Sequence, residues 1–283
     1  MHYYDSQPGT RGAPTERTVL FLHGLGSSSV SLLPLAALMR RHCRVIVPDV
    51  MHFGGLSEPT KERFTPQDHI EVLSEFFDAL AIESVDLFGH SLGGAGAIHL
   101  ATRFPDRSRS VTLVNPGGFS FGFERIKADL LDVGGDQAAR LYEQIVGTMG
   151  VMQASAVKAV GVRVIDGILA NHGVRDLFEA LSERDFVDDL VRELRCPTLL
   201  LWGEDDRFLP RETALHIVSG RSDVQVRFVE GGSHLLAVDS PYRVYVMMRR
   251  FLGYGESTSW IERLAWRRDL APDRTASYGT LSR

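Results

Sequence analysis

The sequence predicts an α/β fold, a mostly parallel sheet covered by helices on both faces and interrupted by an inserted helical cap. Three observations carry this. Short apolar runs alternate with amphipathic segments over residues 1–116 and again from 195 onward, the pattern of a parallel sheet with crossover helices. Between them, residues 117–194 show helical spacing and no clear buried strand. At Val85–Ala95 an apolar run enters Gly89-His90-Ser91-Leu92-Gly93, and small, helix-compatible residues follow, which reads as strand, sharp turn, helix.

The elements follow in order. Met1 to Arg17 is polar, with Gly and Pro, and the first strand is read after it. Thr18–Leu22 is a buried strand running into the Gly-rich turn His23-Gly24-Leu25-Gly26. Leu32–Arg41 has helical spacing and a basic end that suits a helix C-terminus. Cys43–Asp49 is a second buried strand, and Asp49–Ser57 is a loop. Thr65–Leu80 is an amphipathic helix: Thr65 caps it, Pro66 suits its first position, and Ile70, Leu73, Phe76, Phe77 and Leu80 form its apolar stripe. After the turn at Ser91 and its helix, Ser110–Asn115 is a strand closed by Pro116-Gly117-Gly118.

The expected cap helices are Glu124–Asp132, Gln137–Met149, Ala154–Leu169, Val174–Leu181 and Phe186–Leu194. The sheet pattern resumes at Cys196–Trp202 and again at Val224–Val229, with a helix through Ala214, Ile217 and Val218 between them. A last core helix is expected from about Asp239 to Leu252. Beyond Gly253 lies extra chain, with a short helix expected at Trp260–Trp266 and a polar, frayed end from Ala271.

Composition excludes several classes. A net charge of −5 gives no basic footprint, so no nucleic-acid partner is expected. Cys43 and Cys196 have neither metal-ligand spacing nor the density of a disulfide framework, and the histidines show no HExxH-type spacing; neither a metal nor a cofactor is expected. With no apolar leader and no run of about 18 apolar residues, the expectation is a cytoplasmic protein with no stable membrane insertion. The sequence assigns no oligomeric state.

Three chemistry-bearing groups then follow three strands that one parallel sheet would align: Ser91, an acid within Glu204-Asp205-Asp206, and His234. A serine hydroxyl is a poor nucleophile until a base takes its proton. An imidazole does so near neutral pH, and a carboxylate fixes the imidazole's tautomer. At the turn, the N–H of Leu92 is left at a helix start, where it can face a developing oxyanion, and the loop after the first strand offers the N–H of Leu25 as a second donor.

In this order and spacing the chain resembles the α/β-hydrolase family from about Val19 to Leu252. The similar elements are His23-Gly24, Gly89-His90-Ser91-Leu92-Gly93-Gly94, the Trp202–Pro210 segment with its WGxxDxxxP pattern, and Gly232-Ser233-His234 followed by Asp239 and Pro241. The resemblance implies Ser91 as nucleophile, Asp206 as acid (Asp205 being the alternative), His234 as base, and an oxyanion hole at Leu25 and Leu92. The loop after Asp49 departs from the usual pattern: Met51 and His52 stand where capped members often carry Gly or Pro, and Gly54-Gly55 is shifted by one. A similar lengthened loop in monoacylglycerol-lipase-like and Moraxella-lipase-like members inclines the resemblance towards acyl esters.

The expected activity is therefore a serine hydrolase (EC 3.1.1 type) whose partner is a small-molecule ester with a short to medium acyl chain. Its kcat/KM is expected to rise with pH through the neutral range, and chelators are expected to leave it intact. Serine at position 91 argues against the branches that attack with a carboxylate. Two alternatives stay open. One is a C–C bond hydrolase of dienoate products, suggested by Trp202–Pro210 and needing a basic residue such as Arg125, Lys127, Lys158 or Arg163 to hold a carboxylate. The other is a non-catalytic ligand-binding member. The substrate pocket is expected to involve His23, His90, Phe119, Met149 and Met152. His23 and His90 are weighed there against purely structural roles, as are Phe121, Phe123, Val146, Val151 and His52.

Overall fold

The structure, a computed structural model, describes residues 1–6, 17–50, 55–57, 64–131, 136–147, 153–219, 221 and 223–255. The described strands form one seven-stranded sheet: β1 (Tyr3–Asp5), β2 (Thr18–Leu22), β3 (Arg44–Pro48), β4 (Val85–His90), β5 (Ser108–Val114), β6 (Thr198–Gly203) and β7 (Val224–Val229). Their spatial order is β1-β3-β2-β4-β5-β6-β7, with every pair parallel except the antiparallel edge pair β1 and β3. Strand β1 departs from the sequence reading. It is short and half-exposed, and what makes it a strand is pairing with β3 (Tyr4 opposite Val47), which polar Tyr-Tyr-Asp does not advertise.

Alternate side chains of each central strand point to opposite faces, and each face has its own core. Val19, Phe21, Val45, Val47, Phe88 and Val114 pack against α1 (Ser29–Met39) and α11 (Pro241–Phe251). On the other side Leu20, Leu22, Leu87, Val111 and Leu113 pack against α2 (Pro66–Ala79), α3 (Leu92–Arg103) and α9 (Arg211–Val218). Helix α2 starts at the expected cap: Thr65 accepts from the Asp68 N–H, and the Asp68 carboxylate accepts from the Thr65 N–H. Buried Asp49 holds the start of α1 by accepting from Ser29 N–H at 2.9 Å. It also holds the following loop through Leu56 and Ser57 N–H.

Between β5 and β6 lie α4 (Phe123–Leu131), α5 (Gln137–Val146), α6 (Ser155–Leu169), α7 (His172–Ala180), a 3₁₀ turn (Glu183–Asp185) and α8 (Leu190–Glu193). The predicted Phe186–Leu194 helix is cut to its last turn. Val187 N–H is committed to Gly118 O, and the Asp188 carboxylate accepts from both Ser120 N–H and Ser120 Oγ, so the two stalks of the insertion are tied to each other ahead of α8. The final helix, α11, lies within its expected range with Pro241 in its first turn, and a separate short helix, α10 (Leu236–Asp239), precedes it. No helix of the described residues is long and apolar enough to cross a membrane. The Trp260–Trp266 helix, the segment from Ala271, Met51, His52, Met149, Val151 and Met152 lie outside the described residues.

Candidate active site

The carboxyl ends of four adjacent strands build the site. Ser91 follows β4, Asn115 follows β5, the Asp206 loop follows β6 and His234 follows β7. Ser91 sits at φ 53°, ψ −125°, a left-handed conformation costing a non-glycine residue about 1–3 kcal/mol. The turn is held by Ser91 N–H to Val114 O at 3.1 Å, and by Gly94 and Gly117 N–H to Ser91 O at 2.8 Å each. A Cβ on Gly89 would overlap the Gly93 carbonyl oxygen, and one on Gly93 would overlap the Leu22 carbonyl oxygen. That is why these two positions are glycine: strand, turn and helix approach too closely for any side chain.

The three groups expected to act together are brought together. Ser91 Oγ lies 3.0 Å from His234 Nε2, and His234 Nδ1 lies 2.8 Å from Asp206 Oδ2. The other carboxylate oxygen, Oδ1, accepts from the N–H groups of Phe208 (3.0 Å) and Leu209 (2.8 Å). Asp206, not Asp205, therefore faces the imidazole. All three residues are buried, so water competes little for these hydrogen bonds. The N–H groups of Leu25 and Leu92 have no acceptor among the described residues, and both residues line the same cavity as Ser91.

Two histidines are accounted for structurally. His23 Nε2 accepts from Val50 N–H at 2.9 Å and its Nδ1 lies 2.9 Å from Gly24 O, so the ring ties the loop after β2 to the loop after β3 while also lining the cavity. Burial pushes its pKa down, in keeping with a neutral ring that donates from Nδ1. His90, expected in the pocket, is not among the lining residues. Being part of the central strand, it lies behind His234: its Nε2 is 2.8 Å from the His234 carbonyl, and the two rings are 5.4 Å apart. Burial, and after it the neighbouring His234, push its pKa down to about 3, so it is neutral.

Sequence reasoning missed the supports around these groups. Asn115 Nδ2 donates to the carbonyls of Ser233 (2.8 Å) and His234 (2.9 Å), and its Oδ1 accepts from Gly203 N–H (2.8 Å). Its signal was an amide side chain closing an apolar strand. The insertion also touches the site directly. His234 N–H donates to Ile145 O at 3.1 Å and Arg207 N–H to Gln144 O at 3.2 Å, both at the end of α5, while Arg125 Nη2 of α4 donates to Phe208 O at 2.6 Å.

The cavity reached from Ser91 runs between the sheet edge, α2, α3 and the insertion. Its wall is largely apolar, with Ile70, Leu73, Phe119, Phe123, Phe178 and Phe186 among the residues. Phe119 is where the sequence placed it, and Phe121 and Phe123 also line the space, whereas Val146 packs within the core. None of Arg125, Lys127, Lys158 and Arg163 lines it: Arg125 holds Phe208 O, Lys158 pairs with Glu143, and Lys127 lies over the Phe123 ring. Among the described lining residues, the only Lys or Arg is Arg184, an exposed residue.

A family model described as alpha/beta hydrolase fold matches residues 17–241. A 2-hydroxy-6-oxo-2,4-heptadienoate hydrolase of Pseudomonas putida is 29% identical over 224 residues, 70% of this chain and 75% of its own length. A monoacylglycerol lipase of Xenopus laevis is 24% identical over 266 residues, 88% of this chain and 79% of its own. Among solved structures, the naproxen esterase of Bacillus subtilis superposes with a TM-score of 0.68 at 23% identity, covering 87% of this chain and 85% of that one. With the family model spanning strands β2 to β7, the turn at Ser91 and the loops of Asp206 and His234, the chain belongs to the α/β-hydrolase fold family.

Proposed function

We propose that the protein hydrolyses carboxylic esters of short to medium acyl chain through an acyl-enzyme on Ser91. The observation that carries this reading is the Ser91–His234–Asp206 relay, at 3.0 and 2.8 Å, opening onto an apolar cavity. Ser91 Oγ gives its proton to His234 Nε2 and bonds to the ester carbonyl carbon; the carbonyl oxygen becomes an oxyanion facing the N–H groups of Leu25 and Leu92. Collapse of this intermediate breaks the bond to the alcohol oxygen, which leaves with the proton from His234. Water then repeats the sequence on the acyl-enzyme and frees the acid. Asp206, fixed by two N–H groups, keeps the imidazole in the tautomer that leaves Nε2 open to the hydroxyl. Residues 117–194 act as the cap that selects the acyl chain.

The C–C bond hydrolase reading is favoured by the 29% identity to the heptadienoate hydrolase. The ester reading takes precedence because the dienoate substrate carries a carboxylate, and among the described residues the only Lys or Arg lining the cavity is exposed Arg184. The deciding experiment is a p-nitrophenyl ester series from acetyl to palmitoyl, run with wild type and Ser91→Ala beside 2-hydroxy-6-oxo-2,4-heptadienoate. Turnover of the esters with an optimum at medium length, lost in the variant, supports the ester reading. Turnover of the dienoate alone replaces it.

A further inference from the structure

Helix α3 carries the wall of the cavity away from Ser91. Leu92, Ala95, Gly96 and His99 recur three and four apart, so they share one helix face, and all four line the cavity. His99 is the last of them, two turns or about 10 Å along the axis from Leu92. Beside it the 3₁₀ turn Glu183–Asp185 brings Asp185 into the lining. Both side chains have unused hydrogen-bonding capacity. The His99 ring has no hydrogen-bond partner among the described residues, and its nitrogens are not sealed off, the residue being half-buried. Asp185 Oδ2 accepts from Ser182 N–H at 2.8 Å and from Ser182 Oγ at 2.7 Å, which leaves Oδ1 unengaged among the described residues. The carboxylate acts on the ring electrostatically without bonding to it. Burial lowers the ring's pKa, against the pull of Asp185, so the imidazole is neutral near pH 7 and presents one N–H and one acceptor nitrogen.

An alkyl chain end seated here would strip water from a donor and an acceptor and return nothing to either. A carboxylate would meet the charge of Asp185. An ether or keto oxygen could use the His99 N–H but not Asp185. A hydroxyl satisfies both, accepting from the ring and donating to Asp185 Oδ1. We propose that His99 and Asp185 form a hydroxyl-recognition site at the end of the α3 face, so that the preferred ester carries a hydroxyl near the end of the chain that lies along α3. This rests on the ester reading above and narrows its substrate class. A site that hydrogen-bonds a hydroxyl discriminates against the analogue that lacks it, because the site's own groups are then left unpaired.

The test compares chain ends at matched length: p-nitrophenyl alkanoates against their ω-hydroxy, ω-methoxy and ω-carboxy counterparts from hexanoyl to dodecanoyl, and alkyl acetates against the monoacetates of the corresponding diols. Wild type is expected to favour at least one hydroxy member about tenfold in kcat/KM over its methyl-terminated isostere. His99→Leu loses that preference and His99→Gln keeps part of it. The inference is overturned if wild type favours no hydroxy member, if His99→Leu shows the wild-type ratio, or if the methoxy or carboxy member does as well as the hydroxy one. Calorimetric binding of the same compounds to S91A and S91A/H99L separates the two readings. If no ester is turned over, the ester chemistry fails alone provided S91A still binds the hydroxy member about tenfold tighter, relative to its parent, than S91A/H99L does; equal ratios, or no binding, overturn the His99 inference.

Discussion

The carboxamide of Asn115 holds His234 from behind, donating to its carbonyl at 2.9 Å while accepting from Gly203 N–H at 2.8 Å. One side chain thus spans the ends of the strands that lead to Asp206 and to His234. Asn115 is fully buried and sits at φ 42°, a conformation Asn tolerates better than most residues. Asn115→Asp keeps the shape but cannot donate to two carbonyls and buries a charge. Loss of about 3–5 kcal/mol of stability is expected, with kcat/KM lower by about a hundredfold in whatever remains folded. Chemical denaturation and ester kinetics check both; an unchanged midpoint would refute the bridging role.

Ser91→Ala removes the proposed attacking oxygen while leaving the glycine-lined turn in place. A fall of about ten-thousand-fold or more in kcat is expected, with circular dichroism like that of wild type. Residual turnover within tenfold of wild type would mean that the nucleophile is another group.

Arg125 acts at one remove, through the Phe208 carbonyl in the loop whose N–H groups hold Asp206. Arg125→Met is expected to lower kcat about three- to tenfold with a smaller change in KM, since it loosens the loop whose N–H groups hold Asp206. Lysine at this position should restore part of the loss. A rise in KM alone would instead place Arg125 in substrate binding.

Acid stability follows from His90. Its folded pKa is depressed to about 3, below the ordinary histidine value of 6.5, so the native state binds fewer protons than the unfolded chain between those limits. The stabilisation is complete above about pH 6.5 and is lost as pH falls towards 3, at up to about 1.4 kcal/mol per pH unit for one proton. Burial lowers His23 and His99 in the same direction. Urea midpoints between pH 8 and 4 should therefore fall with acid, and His90→Gln should flatten the decline.

Cys43 is buried, with its thiol pushed up to about 12 by burial, and burial raises Cys196 likewise. Neither presents a thiolate at pH 8, so native protein should react with a thiol reagent only as fast as it unfolds. Immediate stoichiometric labelling would contradict this.

Residues with local signatures were readable in advance. The GxSxG turn and the order Ser91, Asp206, His234 follow from steric and chemical needs written in adjacent residues, and the central strands are apolar because both faces are covered. What escaped was tertiary. Tyr3–Asp5 is a strand only because β3 offers an unpaired edge, His90 is hidden because its strand points it under His234, and Phe186–Asp188 is not helical because Gly118 and Ser120 claim its backbone and carboxylate. The Ile145 carbonyl left no trace at all, since any residue supplies one.

That carbonyl has a consequence for protein engineering. Because His234 N–H is satisfied by the end of α5, residues 117–194 are not an exchangeable module that merely shapes the cavity. A chimera carrying another relative's insertion keeps the His234 backbone held in this way only if the graft returns a carbonyl to the place of Ile145. Libraries meant to change selectivity therefore do better to vary the cavity-lining Leu177 and Phe178 of α7 and leave the last turn of α5 untouched.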